Sequence, residues 1–117
     1  MENYCLAYGQ IITPASLRTL AKLHWSKLKV QIRESSQYTN GEYLSLKTPD
    51  GGRISFEKIA VDEILVSGEA ETADQLTAIC QITSDCLTNS RLKHRLELHN
   101  AVDQQYNYLH YGWPLSS

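Results

Sequence analysis

Apolar and polar residues alternate with a period of two from Tyr43 to Glu57: Leu44 and Leu46, then Ile54 and Phe56, are apolar, with Tyr43, Ser45, Lys47, Ser55 and Glu57 on the alternate positions. That period marks strands with one buried face. Between the two runs, Pro49-Asp50-Gly51-Gly52 suits a three-residue loop, a type I turn over Pro49 and Asp50 closed by a left-handed Gly51. Folding about this loop sets Leu46 opposite Ile54 and Leu44 opposite Phe56, which gives the pair a core side and a solvent side.

A second hairpin signal, Asn40-Gly41, fits the two positive φ angles of a type I′ turn, so Leu28 to Val66 reads as a β-meander. Its first strand carries a conflict. In an unbroken strand turning at Asn40-Gly41, Tyr38 faces Tyr43 and Glu34 faces Lys47, but Val30 and Ile32 fall on the polar side. Either a bulge near Ser35-Ser36 reverses the facing, or the preceding helix continues into Leu28–Ser35.

Tyr4 to Ile12 is uncharged and rich in β-branched and aromatic residues, which predicts a buried, central strand. Thr13-Pro14 then offers an N-cap followed by a first-turn proline. Leu17, Leu20, Ala21, His24 and Leu28 follow at the spacing of one helical face, predicting a helix to near Ser26. Ile59–Val61 and Ile64–Val66 read as strand, broken at Asp62-Glu63 and ended by Ser67-Gly68. Thr72 and Gln75 form a capping box ahead of the stripe Ala73, Leu76, Ile79, Cys80, Thr83 and Leu87, and the helix ends at Asn89-Ser90. Leu92, His94, Leu96 and Leu98 alternate with polar residues as a half-buried strand.

Strand, helix, strands, helix, strand is the order of an α+β, ferredoxin-like (split βαβ) two-layer sandwich, here with a meander and both helices on one face of a mainly antiparallel sheet. Residues 1–99 are expected to form a single domain. Residues 100–117 form an aromatic tail, packed on that domain or used as an interface.

The 117-residue length suits one domain, and the net charge of −2 argues against a dedicated nucleic-acid or anionic-membrane binder. Charge is unevenly spread: five basic residues and no acid lie from Arg18 to Arg33, six acids and only Lys58 from Glu57 to Asp74. These read as solvated faces. No apolar run is long enough to span a bilayer and the first residues lack a secretory pattern, so a soluble cytoplasmic protein is expected. Cys5, Cys80 and Cys86 form neither a disulfide framework nor a zinc motif. On a helix Cys80 and Cys86 are turned about 120° apart.

Candidate chemistry is sparse. His94 and His99 point to opposite faces of one strand and cannot share a metal, and His24 reads as a core histidine, so no metal is predicted. Nucleophile elbows, glycine-rich phosphate loops and zinc-protease motifs do not occur, and neither catalytic residues nor a cofactor are assigned. Tyr106, Tyr108, Tyr111 and Trp113 form a candidate interface, because such rings give large contact area for little rotamer entropy. Arg91, Lys93 and Arg95 form a candidate basic patch. The expected function is non-catalytic binding or regulation, with a protein partner or a second copy of the chain. The alternatives are a small enzyme or ligand binder with its pocket between sheet and helices, and a nucleic-acid-binding domain.

Overall fold

The computed structural model describes residues 4–35 and 41–113. They form an α+β domain built on one antiparallel sheet of seven strands: β1 (Cys5–Ile12), β2 (Lys29–Glu34), β3 (Glu42–Lys47), β4 (Arg53–Ala60), β5 (Glu63–Ala70), β6 (Lys93–His99) and β7 (Gln105–Tyr111). The order across the sheet is β2-β3-β4-β5-β1-β6-β7. Helices α1 (Leu17–Ala21) and α2 (Ala73–Asn89) join a single buried cluster with one face of that sheet. Strands β2 to β5 pair in chain order as a meander, so β1 and β2 are separated by three strands rather than arranged in the simple ferredoxin-like order. Strands β5 and β6 run parallel to each other with β1 antiparallel between them, and α2 makes the crossover.

The β3–β4 hairpin has the register its alternation predicts, Leu44 opposite Phe56 and Leu46 opposite Ile54, all four fully buried. Gly51 takes φ +109°, and Thr48 N–H donates to the Gly52 carbonyl at 2.9 Å. The conflict in β2 is resolved by register. Glu34 pairs with Glu42 and Arg33 with Tyr43, so the connection spans more than the two residues Asn40-Gly41. Val30 then faces Leu46 and Ile32 faces Leu44, on the core side. Asn40 and Tyr38 lie outside the described residues; Gly41 takes φ +73°. Downstream, β4 and β5 meet at a two-residue turn, Val61-Asp62, and β5 continues through Ser67 and Gly68 to Ala70 instead of ending there.

Helix α1 is one turn and a half, not the longer helix that the spacing from Leu17 to Leu28 suggests. Ser16, rather than Thr13, caps it, accepting from Thr19 N–H at 3.1 Å. Past Ala21 the chain leaves the helix and buries Trp25, which removes about 200 Å² of indole from water, on the order of 5 kcal/mol. Trp25 is 3 % exposed, packs edge-on to Phe56, and donates its indole N–H to the Leu20 carbonyl at 2.8 Å. Ser26, at φ 55°, turns the chain into β2 and leaves His24 exposed.

Helix α2 matches its sequence signals. Thr72 and Gln75 form the reciprocal capping box, and Gln75 also donates to the Asp50 carbonyl at 2.9 Å, tying the helix start to the β3–β4 loop. Beneath it the sheet is floored by small residues, Ala7, Gly9, Gly68 and Ala70, all buried. A Cβ on Gly9 would overlap the Arg95 carbonyl oxygen. At its far end Arg91 N–H donates to Thr88 and Leu92 N–H to Leu87, the paired bonds of a Schellman motif, with Arg91 at φ 58° where glycine is favoured.

Two outcomes follow for urea unfolding. Gly9→Ala lowers the midpoint, by about 3 kcal/mol of stability, because the added carbon meets backbone that cannot move aside cheaply. Arg91→Gly raises stability by about 0.5–1 kcal/mol by relieving the left-handed backbone. Both changes are read at unchanged denaturant slope.

Candidate functional site

The helices cover one face of the sheet, and the opposite face carries the most site-like geometry among the described residues. Pairing places Ser45, Ser55 and Ser67 side by side on β3, β4 and β5, and Tyr8 of β1 next in the row. Three short side chains in a row, flanked along each strand by longer ones, leave a trough. Its volume is about 420 Å³, with walls that include Tyr43, Arg33 and Leu6. The floor is deepest at Ser45, which is 2 % exposed although it faces away from the core. Neither backbone nor side chain among the described residues hydrogen-bonds the Ser45 hydroxyl.

One rim of the trough is cationic. Lys29 pairs with Lys47, Lys47 with Arg53, and Arg53 with Glu69, so three positive side chains stand in one cross-strand row. Arg53 is ion-paired with Glu69. Lys47 has no ion pair among the described residues. A second hollow of about 260 Å³ lies beyond this rim, sharing Lys47, Arg53 and Glu69 and reaching Gly51-Gly52. The larger hollow opens on the uncovered face, away from the sheet–helix interior where the alternative reading of a small enzyme or ligand binder places a pocket; the smaller one lies at the strand ends beside the β3–β4 loop.

The residues singled out in the sequence are placed apart from this trough. Tyr106 hydrogen-bonds Thr77 and the Ala73 carbonyl of α2, at 3.0 and 3.1 Å, and remains 38 % exposed. Tyr111 stacks on His94 and Tyr108 lies against His110, both from strand β7. Lys93 and Arg95 each lie over the Trp113 ring, at 5.4 and 5.5 Å, and Arg95 also bonds Gln10 and Glu97. The structure thus brings part of the basic patch and part of the aromatic set into one contact. Arg91 stays in the turn ahead of β6.

His94 is fully buried on the core side and His99 lies on the other face. The Leu92 carbonyl accepts from His94 Nδ1 at 2.9 Å, so Nε2 accepts from the Ser84 hydroxyl at 2.7 Å. A serine bonded to an oriented imidazole resembles half of a nucleophilic site, but both side chains are interior and neither lines the trough. All three cysteines are buried; burial alone pushes the Cys80 thiol up to about 12 and raises that of Cys86, the reverse of a reactive thiolate. Among the described residues no three His, Cys, Asp or Glu side chains cluster as a metal site, and no helix is long and apolar enough to cross a membrane.

The serine row escaped the sequence reading for a definite reason. Ser45 opposite Ser55 follows from the hairpin alone, but Ser67 joins them only once β5 is known to run past it. No protein-family model matches the chain, and no curated protein matches it.

His94 yields a pH outcome. Burial foremost, with the neighbouring His110, lowers its pKa below the usual 6.5, against the Leu92 carbonyl bond that raises it. Below 6.5 the unfolded imidazole takes up a proton before the folded one does, so the stability held by neutral His94 is complete above that value and falls as pH drops from it. Urea midpoints measured down this range decline more steeply for the native protein than for His94→Gln; parallel curves would show that the imidazole is not held neutral.

Proposed function

We propose that the protein is a non-catalytic binding module that meets its partner, another protein or a second copy of the chain, through the uncovered face of its sheet. The observation that carries this reading is the hydroxyl-floored trough on that face, where the described residues place no titratable pair in acid–base or nucleophilic geometry. Exposed Tyr8 and Leu65 beside the trough add apolar contact area to its polar floor. Within the sheet, the β5–α2–β6 crossover around β1 is the part that we read as ferredoxin-like. A cytoplasmic setting is in keeping with three buried free thiols.

A second reading, a small-ligand binder, is favoured by the depth of the trough at Ser45. Its size lies within the range of ordinary ligand pockets.

The face is tested by filling it. Ser55→Trp places an indole over the row, and Asp85→Lys alters the helix side of the molecule, where Asp85 is exposed. Partners recovered with the tagged native protein from its host are expected with Asp85→Lys and lost with Ser55→Trp at an unchanged melting temperature. A partner that Ser55→Trp retains in full would exclude the open face as its docking site.

A further inference from the structure

We infer that the trough is a binding site for a small organic phosphate, an inference that rests on the small-ligand reading of the open face. Four residues define where the phosphate sits. Ser45 and Ser55 are directly opposed, as are Lys47 and Arg53 one pleat along the same two strands. Strand geometry puts these four positions at the corners of a rectangle of about 5 by 7 Å. Two of the corners are hydroxyl donors and two are cations, the set of groups that a phosphate monoester accepts from on one side.

Two independent features support a ligand here, and the second of them favours an anion. The first is Ser45, a hydroxyl-bearing residue 98 % removed from solvent by its neighbours, lining the hollow and without a protein partner among the described residues. Its hydroxyl is not sealed off, so it reaches the hollow and can bond whatever occupies it. The second is the row Lys29–Lys47–Arg53, in which like charges stand directly opposite across two successive strand pairs. Such opposition destabilises a sheet. Glu69 compensates it at Arg53 alone. Around the trough itself, Arg33, Lys47 and Arg53 face the single acid Glu69, although the whole chain carries a net charge of −2. A dianion above Lys47 supplies the missing counter-charge and accepts from the Ser45 hydroxyl as well.

The organic body of the ligand has a direction as well. From the rectangle the floor runs along Ser67 to Tyr8, a residue 46 % exposed whose ring meets His99 edge to face, with Leu6 beside it. A flat ring fits there by stacking, while its phosphate stays on the cationic side. The hydroxyl floor bonds the atoms between them.

Amide chemical-shift titration of the full chain tests this with three probes: adenosine monophosphate, inorganic phosphate and adenosine. Adenosine monophosphate is expected to shift amides of Tyr43–Lys47, Arg53–Ser55 and Ser67–Glu69, with inorganic phosphate weaker at the same amides and adenosine weakest. Lys47→Gln weakens binding at least about tenfold and Ser45→Ala severalfold, whereas Lys22→Gln, the same charge change at the exposed C-cap of α1, leaves it unchanged. Lys47→Gln is also expected to melt higher than the native protein at low salt without ligand, since it relieves the opposed charges. That pairing of higher stability with lost affinity separates a binding residue from a structural one. No shifts with any probe to about 10 mM overturn both the phosphate site and the small-ligand reading. Shifts with adenosine as strong as with its monophosphate, or affinity unchanged in Lys47→Gln, overturn the phosphate assignment and leave a ligand site in place.

Discussion

The fold depends on the close approach of α2 to the middle of the sheet. Strand β1 lies between β5 and β6, which run the same way and are joined by that helix, so the helix must cross directly over β1. The core side of the sheet there is low, with Ala7 and Gly9 on β1 and Gly68 and Ala70 on β5 all buried, and just ahead of β4 a Cβ on Gly52 would already press on Ile79 and the Gln75 carbonyl of the helix. Leu76, Ile79, Cys80 and Leu87 then reach the sheet and are sealed from water. Larger floor residues would lift the helix and open the interior. The capping box at Thr72 and the bond from Gln75 to Asp50 fix where along the sheet the helix begins.

The concentration of helices on one side has a direct effect on the other. With no second layer among the described residues, side chains there are free to be polar, and the pattern they form is set by register alone. The register that buries Leu44, Leu46, Ile54 and Phe56 also aligns Ser45 with Ser55 and Lys47 with Arg53 on the opposite face. Core and candidate site are therefore two readings of one strand alignment. A one-residue slip would dissolve both, since every side chain would change sides.

Much of this was legible in the sequence where signals were local. The β3–β4 hairpin, the capping box and the stripe of α2 each rest on residues within a few positions of one another, and each appears as its spacing indicates. Where signals competed, the sequence was ambiguous or misleading. At α1 the helical spacing runs on to Leu28, but the helix ends at Ala21 and the chain turns to bury Trp25; at β2, which is strand as its alternation suggests, the register keeps Val30 and Ile32 on the core side. The trough was the least legible, because it is assembled from strands separated by the turn at Val61-Asp62 and, for Tyr8, by half the chain. The aromatic residues near the C-terminus drew attention by composition, yet each has an intramolecular neighbour: Tyr106 with α2, Tyr111 with His94, Trp113 with Lys93 and Arg95.

An open sheet of this kind has two borders, and they are unequally protected. Strand β2 carries Lys29, Arg33 and Glu34, charges that discourage another strand from pairing alongside. Strand β7, Gln105–Tyr111, has no Lys, Arg, Asp or Glu and three tyrosines. When heat or acid loosens the molecule, intermolecular strand addition and aggregation are therefore expected to begin at the last strand, and a lysine placed at an outward position there is the natural gatekeeper.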